Sequence, residues 1–75
     1  MKEQLIAILQ KVSKKTAVPA DDESLFESGF LDSFALTDMV SELEEAFQVK
    51  IPDADLTPRK FDTVEKILAY VEGLR

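Results

Sequence analysis

The stretch Leu25-Phe26-Glu27-Ser28-Gly29-Phe30-Leu31-Asp32-Ser33-Phe34, continued by Ala35-Leu36-Thr37-Asp38-Met39-Val40-Ser41-Glu42-Leu43-Glu44-Glu45-Ala46-Phe47, decides the fold. In its second half Leu36, Met39, Val40, Leu43 and Phe47 fall at the spacing of a single helix face. That predicts a helix over 34–47. Asp38, Glu42 and Glu45 form a second stripe on another face, also at helical spacing. The first half has no such period. Gly29 permits a sharp turn there, and Asp32-Ser33 stands at the mouth of the helix.

Working outward, Leu5, Ile8, Leu9 and Val12 predict a helix over 3–15. Lys14 and Lys15 suit the negative end of its dipole, and Ala17-Val18-Pro19 is expected to end it, because a residue before proline leaves the α region. Thr57-Pro58-Arg59-Lys60 predicts one short helical turn, with Thr57 as cap and Pro58 in the first position. A last helix is expected over 63–74. Val64, Ile67, Leu68, Val71 and Leu74 form its buried face, and Asp62 or Thr63 caps it. No segment alternates long enough to be a strand. The fold class expected is all-α, a compact bundle of three main helices and one short one, in a single domain over residues 1–75.

The connection from Thr16 to Asp32 is 17 residues long. Helix connections in bundles usually take roughly 2–8 residues, and longer ones tend to be functional or disordered. Leu25, Phe26, Phe30 and Leu31 make this one too apolar for disorder, so it is expected to pack along the bundle and deliver Asp32-Ser33 to the second helix.

Composition narrows the function. With no cysteine and no histidine, the chain lacks disulfides, thiolate metal sites and the commonest general base. Seventy-five residues leave little interior for an enclosed active site, so no catalytic residue is assigned. The net charge of −6 is unevenly spread: +3 over residues 1–20, −10 over 21–55 and +1 over 56–75. An anionic middle disfavours nucleic acid and anionic membranes and favours basic partners. The apolar run Leu5 to Leu9 is too short for a signal-peptide core or a membrane span, so a soluble, cytoplasmic, monomeric protein is expected.

At a helix mouth the first backbone N–H groups lack internal partners and the dipole is positive, so a phosphate there is stabilised. Ser33 is therefore well placed to hold a phosphodiester. Taken alone, Asp-Ser before a helix is an ordinary cap.

The whole segment from Leu25 to Phe34 resembles the attachment-site signature of acyl carrier and peptidyl carrier proteins, with Asp-Ser at the start of helix two after a long loop holding a glycine near its end. Leu43-Glu44-Glu45-Ala46-Phe47, Ile51-Pro52-Asp53, and Thr63-Val64 with Ile67 and Tyr70 resemble later parts of the same family. The resemblance implies a 4′-phosphopantetheine arm on Ser33, whose terminal thiol carries an acyl or aminoacyl group as a thioester. It implies Asp32 as a residue that engages the phosphopantetheinyl transferase and its metal. The implied partners are that transferase, an acyl- or aminoacyl-loading ligase, and a downstream acyltransferase or synthase.

Within the family, Gly29 lies three residues before Asp32 rather than two, a pattern similar to D-alanyl and peptidyl carriers. Phe34 stands where leucine is usual, and Ala35 and Ser41 replace an acid and a methionine of the fatty-acid type. Ile51-Pro52-Asp53 and the acidic second helix resemble acyl carriers of fatty acid biosynthesis instead. The expectation is thus an acyl carrier protein, with a D-alanyl or peptidyl-type aminoacyl carrier as the alternative. An unmodified acidic helical interaction module is the alternative of another class. A hydrolase using Ser33 lacks a base and an oxyanion hole.

Asp38, Glu42 and Glu45 read either as a solvated face or as a docking face for basic enzymes, and the carrier resemblance favours docking. Phe34 lies off the apolar stripe, in reach of the arm or a partner, whereas Phe26, Phe30, Phe47, Phe61 and Tyr70 are expected in the core. Asp53-Ala54-Asp55 with Thr57 has some calcium-loop spacing but lacks the glycine such loops need, so it reads as loop and cap.

Overall fold

The computed structural model describes residues 2–74. Helix α1 spans Lys2–Ser13, α2 spans Ser33–Phe47 and α3 spans Val64–Leu74, with a 3-10 turn at Asp53–Asp55. No strand occurs among the described residues. The chain is the all-α, acyl-carrier-like bundle that the periodicity and the resemblance predict.

The stripe of α2 is buried as expected: Leu36, Met39, Val40, Leu43 and Phe47 all face inward. Against them α1 packs Leu5, Ile8 and Leu9, with Val12 half-buried at the edge. α1 packs chiefly on α2 and more lightly on α3. The inward face of α3 is narrower than its sequence suggests. Val64, Ile67 and Val71 are buried, Leu68 is half-buried, and Leu74 is exposed near the end of the chain.

Each boundary has a local cause. α1 stops at Ser13, so Lys14 and Lys15 lie beyond its last turn rather than in it. Lys14 takes the left-handed conformation at φ +60°, Ser13 Oγ accepts the Lys15 N–H at 3.2 Å, and Gln10 Nε2 donates to the Thr16 carbonyl at 2.9 Å. These contacts end the helix well before Pro19 can. Gln48 ends α2 in the same left-handed region at φ +55°, and the Val49 N–H bonds back to the Glu44 carbonyl at 3.3 Å. The Glu44 carboxylate accepts the Ile51 N–H at 2.8 Å, which turns buried Ile51 into the core. At α3, Thr63 is the cap: its Oγ1 accepts the Lys66 N–H at 3.1 Å.

The short helix lies upstream of its expected place. Residues 57–60 form turns, with Lys60 N–H to Thr57 O at 3.2 Å and Phe61 N–H to Pro58 O at 3.2 Å, while the 3-10 turn is Asp53–Asp55. Its position follows from Asp55, whose carboxylate is gripped by Lys60 and by the Tyr70 hydroxyl. The tight turn at 53–55 aims Asp55 at α3, and the chain runs on to bury Phe61, whose ring meets Tyr70 edge-on at 5.2 Å.

The long connection runs from Lys14 to Asp32 and is built into the bundle. Leu25, Phe30 and Leu31 are buried and belong to the same core cluster as the helices. Leu25 N–H donates to Asp62 O at 2.6 Å, and Leu31 N–H returns to Leu25 O at 2.9 Å. Ser24 Oγ donates to Asp62 Oδ1 at 2.7 Å, so the acid expected as a possible cap fastens the loop to the start of α3 instead. The loop thereby delivers Asp32 and Ser33 to the mouth of α2.

Candidate functional site at the mouth of helix two

Two buried side chains, Phe30 and Leu31, fix the approach to α2, and the next three residues face out: Asp32, Ser33 and Phe34 are all exposed. The turn before them needs Gly29, whose φ of +83° is disfavoured for any residue with a Cβ. No heavy atom lies near where a Cβ would sit, so the requirement is one of backbone conformation, not space.

The division of labour within Asp32-Ser33 is specific. Asp32 is the N-cap: it is extended, its Oδ1 accepts the Ala35 N–H at 2.8 Å, and its carbonyl accepts the Leu36 N–H at 3.1 Å. Ser33 is the first residue of α2. Its hydroxyl has no hydrogen-bond partner among the described residues, and the same holds for the Ser33 and Phe34 N–H groups. The residue with the free hydroxyl therefore sits beside two free N–H donors at the positive end of a helix dipole. A phosphodiester on Ser33 Oγ would fit this place, since the residue is exposed and the neighbouring donors are unoccupied.

Phe34 is 85% exposed, the most exposed large apolar side chain described. It and Asp32 border an open cleft of about 380 Å³, whose other walls include Lys14, Lys15 and Asp38. Lys15 Nζ donates to the Gly29 carbonyl at 2.5 Å and lies 5.7 Å from the centre of the Phe30 ring.

The acidic stripe is divided. Asp38 and Glu45 are exposed on α2. Glu42 is half-buried and pairs with Lys11 of α1 at 3.0 Å. The sequence does not show which groups Lys11 and Lys15 reach. The basic excess of the first 20 residues was visible, but the groups those lysines reach lie 31 and 14 residues further along.

Away from the site, the Tyr70 hydroxyl donates to Asp55, and burial with that bond pushes the Tyr70 phenol up to about 12. Hydrogen bonds from Lys60 and Tyr70 hold the Asp55 carboxyl below its ordinary value. None of the described helices is long and apolar enough to cross a membrane.

Comparison with known proteins shows the family. The family described as phosphopantetheine attachment site matches residues 3–71. The D-alanyl carrier protein of Leuconostoc mesenteroides is 31% identical over 74 residues, covering 99% of this chain and 95% of that protein. The D-alanyl carrier protein of Lactococcus lactis subsp. lactis is 37% identical over 73 residues, covering 96% and 92%. That of Lactobacillus acidophilus is 32% identical over 73 residues, covering 97% and 92%. With a match of this length and relatives aligned nearly end to end, the chain belongs to the phosphopantetheine-attachment family of carrier proteins, whose covalent cofactor is 4′-phosphopantetheine.

Proposed function

We propose that this chain is an aminoacyl carrier of the D-alanyl type and that its arm is attached to Ser33. The observation that carries the attachment is the free, exposed Ser33 hydroxyl at the first position of α2, with Asp32 already serving as cap. Ser33 Oγ would attack the pantetheine-bearing phosphorus of coenzyme A on the transferase, breaking the pyrophosphate bond, with adenosine 3′,5′-bisphosphate leaving and the hydroxyl proton passing to the transferase. The Ser33 and Phe34 N–H groups, free at the helix mouth, would be the donors that hold the phosphodiester. When bound, the group supplies a terminal thiol that holds cargo as a thioester, which a chain without cysteine cannot supply itself. The carrier presents that cargo and performs no chemistry of its own.

For the cargo, the relatives named D-alanyl carrier protein and the Gly29-to-Asp32 spacing support an aminoacyl group. A D-alanyl thioester bears an ammonium, and the surround of α2 is anionic, which accommodates it. Fatty acid biosynthesis, expected from Ile51-Pro52-Asp53 and the acidic second helix, has no support among these relatives. The acidic helix that suggested it is also partly neutralised by Lys11. The unmodified interaction module gives way to the family match.

Asp32 keeps its outer carboxylate oxygen free of partners among the described residues, which suits engagement of the transferase and its metal. Phe34 offers an apolar anchor and Asp38 and Glu45 offer charge to the transferase, the loading ligase and the downstream acyltransferase or synthase, and the carrier itself is cytoplasmic in this reading.

The test has two stages. Incubation with a broad-specificity phosphopantetheinyl transferase and coenzyme A is expected to add one arm to wild type and none to Ser33→Ala, read by intact mass. The modified protein is then offered to a D-alanine ligase with ATP, and to an acyl-carrier synthetase with a fatty acid. Loading with fatty acid and not D-alanine would overturn the aminoacyl reading.

A further inference from the structure

Lys15 lies two residues beyond the end of α1, yet both of its side-chain contacts fall on the segment that leads into Ser33. Its Nζ donates to the Gly29 carbonyl at 2.5 Å and stands 5.7 Å from the Phe30 ring centre. Gly29 is where the loop turns with positive φ before Phe30 and Leu31 enter the core. The other bond made by that peptide pair is long, Gly29 N–H to Phe26 O at 3.3 Å. Lys15 itself is placed firmly, because Ser13 Oγ holds its N–H and Lys14 completes a left-handed turn before it.

We infer that Lys15 is a positioning residue for modification at Ser33: it ties the Gly29 turn to the end of α1 and so holds the 29–32 segment in the form that presents the serine. This rests on the reading of Ser33 as the attachment residue. An enzyme that binds only the presented form sees its substrate diluted by the fraction that is open, so loosening the turn raises KM and leaves kcat in place. A charged hydrogen bond and a cation–π contact at an exposed site together shift such an opening by about fivefold.

The experiment compares Lys15→Met, Lys15→Arg and Lys66→Met with wild type. Lys66→Met removes the same charge from exposed α3 surface. Transferase kinetics, amide exchange at residues 29–32 and thermal melting are measured on each. Lys15→Met is expected to speed exchange at 29–32 about fivefold, to raise KM by no more than that factor with kcat unchanged, and to melt a few degrees below wild type. Lys15→Arg, which keeps donor and stacking, restores both values, and Lys66→Met matches wild type. Slower modification without faster exchange would make Lys15 a docking charge and overturn the proposal. So would unchanged exchange in Lys15→Met, equal slowing in Lys66→Met, or a Lys15→Met that no longer folds. If wild type is not modified at Ser33, the attachment reading fails by itself, and the exchange data show separately whether Lys15 holds the turn.

Discussion

The Asp32 carboxylate accepts the Ala35 N–H at 2.8 Å, which makes Asp32 the residue that closes α2 and leaves the neighbouring Ser33 hydroxyl without structural duty. Capping and attachment are therefore divided between adjacent residues. Asp32→Ala is expected to cost about 0.5–2 kcal/mol, the usual loss for an N-cap. Ser33→Ala, at an exposed helical position where alanine is favoured, is expected to stay within about 0.5 kcal/mol of wild type while losing all modification. Urea titrations of both variants check this, and a larger loss for Ser33→Ala would reverse the assignment of the cap.

Leu43 is fully buried in the core cluster, in a chain with little core to spare. Leu43→Ala is expected to cost about 2–5 kcal/mol, through lost transfer energy and the cavity left behind. Phe34→Ala, removing a side chain that is 85% exposed, is expected to change stability by about 0.5 kcal/mol or less. Comparable losses in thermal melts of the two would mean that Phe34 is packed in solution.

The split of the acidic stripe gives a docking prediction. Asp38→Lys with Glu45→Lys is expected to slow modification by the transferase with little effect on folding, and the difference should shrink as salt rises. Exposed charges are screened beyond a Debye length of roughly 8 Å at physiological ionic strength. Glu3→Lys with Glu72→Lys, on exposed surface of α1 and α3, is the control. Glu42→Gln should slow modification less, since Lys11 already neutralises that carboxylate. Equal rates for wild type and both double variants at low salt would reduce Asp38 and Glu45 to solvated surface.

Asp55 and Tyr70 bracket a pH window. The folded-state pKa of Asp55 is lowered, so its contribution is present above the ordinary carboxyl range and is lost as pH falls below that range through the lowered value. That of Tyr70 is raised from 10.0 to about 12, so its contribution is full below pH 10 and is lost as pH rises towards 12. The stability difference between wild type and Tyr70→Phe is expected to be constant near neutrality and to shrink above pH 10. Asp55→Asn should flatten the acid limb. Denaturant titrations across pH measure both, and a difference that persists unchanged to pH 12 would mean the hydroxyl does not donate to Asp55.

How much could be read from the sequence followed the range of the interaction. The stripe from Leu36 to Phe47, the Asp32 cap and the need for glycine at position 29 depend on residues a few positions apart, so their spacing alone determined α2 and the exposure of Ser33. The apolar content of the long loop likewise determined that it packs, since Leu25, Phe30 and Leu31 have nowhere to go but the core. Tertiary structure decided what those local rules leave open. Lys15 meets Gly29 fourteen residues on, Tyr70 meets Asp55 fifteen residues back, Lys11 meets Glu42 at thirty-one, and Ser24 meets Asp62 at thirty-eight. Each pair joins polar groups that many partners could satisfy equally well. Which partner is reached depends on how three apolar stripes pack together, a property of the whole chain that no short window of sequence contains.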